Sequence, residues 1–136
     1  MRKMFSKNQI KRLVEDDISG VTVTKGEYTT EAHLKITKVG HCITIAGYVS
    51  VNNTSGQPII NGLTIITINN IDLIFADGQS FNGVHQHNTS ISLTTAHIDG
   101  HDIVINNPVQ TGETYYFFDV DLIDGDDLPV LDYPGE

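Results

Sequence analysis

The chain has 136 residues, 39% of them hydrophobic and 18% charged, with a formal net charge of −9. That length holds one domain with a sizeable core and at most a short appendage. The hydrophobic fraction excludes a disordered chain, and the negative charge argues against a nucleic-acid-binding surface.

Residues 6–18 read as the one helix. Ser6 serves as N-cap, and Gln9 completes a capping box. Phe5 and Ile10 take the staple positions on either side of the cap. Ile10, Leu13, Val14 and Ile18 form a narrow apolar stripe, and Ser19-Gly20 ends it, with Gly20 free to take positive φ. So short a helix is marginal alone, and its stripe needs a partner. Residues 1–20 are therefore expected to be an N-terminal helix for attachment or trimerisation. Arg2, Lys3, Lys7, Lys11 and Arg12 make this end basic, against Glu15, Asp16 and Asp17. There is no apolar run of signal-peptide length and no stretch long enough to span a membrane.

From Val21 onward the pattern is short strands and turns. Val21 and Val23 open the first strand, and Ala32, Leu34 and Ile36 alternate in the next. Ile43, Ile45, Val49 and Val51 continue with period two, with Gly47 in phase. Glycine inside a strand marks a bulge or a close backbone approach. Turn residues 52–56 follow, then strand-like segments at 59–68, with a break at Gly62, and at 71–75. Asp77-Gly78 and Asp99-Gly100 are hairpin signals. Ser90–Thr95, Ile103–Ile105 and Thr114–Ile123 complete the set. In the last of these, Thr114, Tyr116, Phe118, Val120 and Leu122 share one face. No internal repeat stands out.

Cys42 is the only cysteine, so no intrachain disulfide forms. It lies out of phase with the apolar face and is expected to be a packed thiol rather than a nucleophile, for no activating base lies beside it in sequence.

The segment Lys38-Val39-Gly40, the alternating run Ile43–Ile45 and then Gly47-Tyr48-Val49 resemble the distal β-domains of bacteriophage tail-fibre and receptor-binding proteins. Together with the strand spacing, the resemblance implies an all-β fold: an antiparallel β-sandwich of jelly-roll or C1q-like type over residues 21–136, preceded by the short N-terminal helix. It further implies a virion structural protein, a small homotrimeric fibre or appendage that projects from the particle. Such a protein would contact other virion proteins through the N-terminal helix and a host surface glycan or protein through the β-domain. It would be made in the host cytoplasm, without a signal peptide and without membrane insertion.

Three segments invite chemistry. His85 and His87 sit at i and i+2, which on a strand point the same way and can converge on one ion. Gly83-Val84-His85-Gln86-His87 resembles the Gly-x-His-x-His motif of some trimeric phage fibres, which implies His pairs from three chains around an axial transition metal. A cupin-like metal-dependent enzyme is the rival reading. Its His-x-His is followed by Glu and a later His, whereas here no Glu follows until Glu113, and His97 and His101 do not reproduce the order. His97, Asp99, His101 and Asp102 invite a catalytic story, but no strained nucleophile motif accompanies them.

The acidic segment Asp119, Asp121, Asp124, Asp126 and Asp127 approaches a calcium loop. An extra residue separates Asp121 from Asp124, and the closing Glu is missing, so at most a weak calcium site is expected. The tail to Glu136 otherwise reads as a solvated end. The chain has no Trp, and Tyr115 lies out of phase with the core face, where it can be exposed. A non-viral carbohydrate-binding module, with an exposed aromatic pair on one face, is the third reading. No enzyme activity, cofactor, catalytic residue or resident metal is expected.

Overall fold

Alternation of β-branched and aromatic residues with polar ones drives this chain into antiparallel strands. The computed structural model describes residues 18–76 and 78–125. These form β1 (Val23–Lys25), β2 (Thr29–Val39), β3 (Cys42–Asn53), β4 (Leu63–Ile68), β5 (Ser80–His87), β6 (Ser90–Asp99), β7 (Asp102–Ile105) and β8 (Gly112–Ile123). They make one antiparallel sheet in the order β1-β4-β7-β6-β5-β8-β3-β2, nearly closed into a barrel.

The core fills the interior. Ile43, Ile45, Val49 and Val51 of β3 meet Tyr116, Phe118 and Leu122 of β8, all buried. β4 contributes Ile65 and Ile66 together, because a bulge between Thr64 and Ile66 turns two successive side chains inward. One inner row crosses Leu34, Gly47 and Phe118, with Gly83 of β5 beside it. A β-carbon at Gly83 would lie 2.6 Å from the Phe118 ring, and one at Gly47 would collide with the His33 carbonyl oxygen. Gly47 holds φ +132, so its place in the strand is the close backbone approach that its position implies.

Closure is incomplete between β1 and β2. At one end Gly26 N donates to Ile65 O (2.9 Å) and Thr29 Oγ1 donates to the same oxygen (2.5 Å). At the other, Ile18 and Lys38 exchange backbone hydrogen bonds of 2.9 and 2.8 Å. Among the described residues no ladder joins β1 to β2, which leaves a seam. A groove of about 410 Å³ along it is lined by Val23, Lys25, Thr30, Glu31, Ala32 and His33.

The connectivity has a hidden symmetry. In β5 to β8 three successive strands pair as neighbours and the fourth returns beside the first, a Greek key. β1 to β4 repeat that order across the seam. Exchanging each strand for the one four places along maps every ladder onto another, except the β5–β6 hairpin, whose counterpart is the seam. Equivalent places carry similar residues. The β2–β3 turn runs Gly40-His41-Cys42-Ile43-Thr44-Ile45, and the β6–β7 turn runs Gly100-His101-Asp102-Ile103-Val104-Ile105. Pro58-Ile59 leads to Gly62-Leu63-Thr64, and Pro108-Val109 leads to Gly112-Glu113-Thr114. Ile59 and Val109 meet at the pseudo-dyad, each donating its N–H to the other's carbonyl at 2.9 Å.

The expected all-β antiparallel architecture is present. Residues 6–17 of the expected helix, Asp77 of the hairpin signal and residues 126–136 of the acidic tail lie outside the described residues. Ile18, read as the end of the helical stripe, is extended and bridges Lys38 instead. Gly20 does take positive φ, at +67. The segment 71–75 is not a strand: it turns at Ile71 and Asp72 and touches the sheet through the single bridge Phe75–Asp124. Asn70 explains the turn, its side-chain oxygen accepting from Asp72 N at 2.9 Å. Cys42 is exposed at the start of β3 rather than packed, because its side chain falls on the outer face with no second layer over it.

Candidate functional site

Outward-facing positions of five adjacent strands align into two rows. The first runs Leu93 (β6), Val84 (β5), Phe117 (β8), Tyr48 (β3), His33 (β2) through successive register pairs. The second, beside it, runs Ile91, Gln86, Tyr115, Ser50, Glu31, of which Ser50 is buried and accepts from Thr30 Oγ1 at 3.0 Å. Leu93 is 77% exposed, Ile91 68% and Phe117 42%. An aligned band of apolar and aromatic side chains on an outer face marks a binding surface rather than scattered surface hydrophobics.

The aromatic centre is Tyr48. Its ring centroid lies 6.0 Å from that of Phe117, 6.3 Å from that of Tyr115 and 4.9 Å from the His33 ring, all tilted. These are the offset geometries that ring quadrupoles favour. The Tyr48 hydroxyl donates to Glu31 Oε2 at 3.5 Å, and His33 Nε2 lies 3.4 Å from the same oxygen. Desolvation by its neighbours, and then the Glu31 carboxylate, raise the Tyr48 hydroxyl above its ordinary range. Glu31 is placed there by a bulge between Thr29 and Glu31 at the start of β2. Exposed Glu113 and Asp119 stand on β8 immediately before and after the aromatic pair Tyr115 and Phe117.

The expected exposure of Tyr115 on the outer face is met. The partners Tyr48, Phe117, Val84 and Leu93 were missed, because a strand's neighbours across the sheet are not written in its own sequence. Period two alone would have placed Tyr48 and Phe117 opposite the core face.

His85 and His87 do share one side of β5, as the i, i+2 spacing implies, and that side faces the barrel interior near one end. His85 Nδ1 bonds Thr94 Oγ1, and His87 Nδ1 reaches Glu113 O (2.9 Å) and Thr114 Oγ1 (3.0 Å). Burial, then the neighbouring His87, hold the His85 imidazole below its ordinary value. His97 faces outward and bonds Asn106 Oδ1 at 2.5 Å, and His101 bonds Leu73 O at 2.6 Å in the β6–β7 turn. The sheet does not bring them to His85 and His87. Among the described residues no three His, Cys, Asp or Glu side chains gather as a metal site.

The carboxylates of the calcium-like segment are divided between faces. Asp119 and Asp121 point outward, where Asp121 accepts from Thr44 Oγ1 at 2.8 Å. Asp124 is buried and pairs with Lys38 Nζ at 2.6 Å. Among the described residues no helix is long and apolar enough to cross a membrane.

No protein-family model, characterised protein or solved structure matches this chain.

Proposed function

We propose that this chain is a structural and binding protein of a virion, a homotrimeric appendage whose β-domain is a jelly roll and whose outer face is an assembly surface. The observation that carries the reading is the in-register band from Leu93 to His33 across five strands. Apolar side chains this exposed and this aligned are stabilised by association and need no substrate pocket. The double Greek-key strand order supports the jelly roll. The resemblance of Lys38–Val51 to phage fibre domains supports the virion. In this reading the N-terminal segment joins copies or other virion proteins, and the barrel end away from it contacts a host glycan or protein.

Light-scattering mass of the purified chain tests the reading. The expected result is a particle of three 14.9-kDa chains that Phe117→Ser with Leu93→Ser dissociates. A monomer at every concentration overturns it.

The tilted cluster of Tyr48, Tyr115 and Phe117 beside Glu31 and His33 favours a second reading, a carbohydrate-binding module. That reading predicts a monomer retained on an immobilised polysaccharide, with retention lost in Tyr48→Ala.

A further inference from the structure

The band has a charged surround of one dominant sign. Glu113 and Asp119 flank its two rows on β8, and Glu31 closes its β2 end. Lys35, next along β2, is the cationic counterweight. Aromatic faces rimmed by carboxylates attract guanidinium and ammonium groups carried on apolar stems, by cation–π contact and ion pairing together.

The chain itself holds a segment of that chemistry. Of its 8 Lys and Arg residues, Arg2, Lys3, Lys7, Lys11 and Arg12 lie in the first twelve positions, and every one of its 17 Asp and Glu residues lies after them. Met1, Met4, Phe5 and Ile10 are interleaved with these cations. Cations interspersed with apolar side chains match a surface of carboxylates around Phe117, Tyr48, Leu93 and Ile91.

We propose that the outer band of one copy is covered by the basic segment, residues 1–12, of a neighbouring copy. This rests on reading the band as an assembly surface and names what occupies it. A second copy fits better than the same one. Ile18 pairs with Lys38 and runs antiparallel to β2, so the chain enters at the Gly40 end of that strand, while Glu31 lies at the other. That entry point lies at the end of β2 away from Glu31, which favours a neighbouring copy as the source of the segment. A contact between two different patches is heterologous, and such contacts close into rings when the rotation permits, which suits a trimer.

Carbodiimide cross-linking of the full chain tests this. Copies labelled with ¹⁴N and ¹⁵N are refolded together, and native mass spectrometry reads the isotope mixing of any oligomer. The reagent then joins lysine amines to carboxylates in contact. The expected result is mixed-isotope peptides linking Lys3, Lys7 or Lys11 to Glu31, Glu113 or Asp119. Their yield should fall several-fold in 1 M salt, where screening acts within about 3 Å. It should also fall in the surface variant Glu31→Gln, Glu113→Gln, Asp119→Asn. Links between peptides of one isotope alone would assign the band to the chain's own segment and overturn the proposal. Links to other carboxylates, or none, would overturn it too. An isotope-mixed trimer without these links would sink this occupant and leave the assembly reading standing, whereas a monomer would remove both.

Discussion

The Lys38 ammonium lies 2.6 Å from the Asp124 carboxylate, and the two side chains are 6% and 0% exposed. The pair sits where the two ends of the described chain converge. Lys38 bonds Ile18 through its backbone, while Asp124 N donates to His41 O and Gly125 N donates to Ile74 O. Removing Lys38 takes the ion-pair cation from a buried carboxylate, which costs more than removing both charges. Lys38→Met should therefore cost about 3–5 kcal/mol in urea unfolding. The double variant Lys38→Met, Asp124→Leu should recover most of that loss. Equal stability of the single and double variants would refute the pairing argument.

Phe118 fills space left by the missing side chain at Gly83, and its ring stands edge-on to Phe81 at 5.4 Å. Gly83→Ala should destabilise by about 2–3 kcal/mol through overpacking, since its β-carbon would meet the Phe117 carbonyl oxygen at 2.5 Å as well as the Phe118 ring. Combined with Phe118→Leu, part of that cost should return, giving a favourable coupling in a double-mutant cycle. Gly47→Ala has no such partial rescue, because every obstacle there is backbone of His33 and Leu34 and the φ is positive, and its cost should be about 3 kcal/mol or more.

His85 sets an acid-side dependence. Its folded value is lowered, by burial and then by His87, so below the ordinary value of 6.5 the unfolded chain takes up its proton first. Stability attributable to this group should be constant above that point and fall as pH drops below it. The fall should level off once the folded imidazole is protonated as well. His85→Gln should flatten this part of the curve, and an unchanged slope in urea midpoints between pH 7 and 5 would count against the assignment.

Tyr116 sets an alkaline limit. Burial pushes its hydroxyl up to about 12 from 10.0. The unfolded chain then loses this proton first, and stability should decline as pH rises from 10.0 towards about 12. Ultraviolet titration should show a late tyrosine near this value that Tyr116→Phe removes, distinct from the raised but only half-buried Tyr48.

On the proposed reading the outer band serves association and contributes little to the fold. Leu93→Ser should change unfolding free energy by roughly 0.5 kcal/mol or less, and Phe117→Ser, which also loses the ring contact with Tyr48, by about 1–2 kcal/mol, measured under conditions that keep the chain monomeric. A loss of several kcal/mol in the monomer would reassign these residues to internal packing.

Strands with period-two apolar runs, such as Ile43–Val51 and Thr114–Leu122, were legible because burial of one face writes itself into every second residue. β5 was not, since Ser80–His87 offers just Phe81 and Val84 as apolar residues and spends an inward position on Gly83. The segment 71–75 misled because Ile71, Leu73 and Ile74 look strand-like, while Asn70 commits the backbone to a turn. The repeat escaped notice for a geometric reason. Its Gly-His turns are spaced sixty residues apart and its Pro-x-x-x-Gly segments fifty, so no single offset aligns both. Of the candidate face, the sequence revealed Tyr115 alone. Its rows exist only once the ladders fix which strands are neighbours.

The Ile59–Val109 contact gives the molecule an internal control. Gly62 and Gly112 hold the same turn in the two halves, at φ +88 and +89. A β-carbon at Gly62 would press on Val104 Cγ1 at 3.2 Å, whereas at Gly112 it would reach only His87 Cε1 at 3.8 Å. The same alanine substitution made at each glycine therefore meets one backbone strain in two surroundings. The difference between the two costs isolates what neighbours add to a conformation, measured in one polypeptide in one solvent.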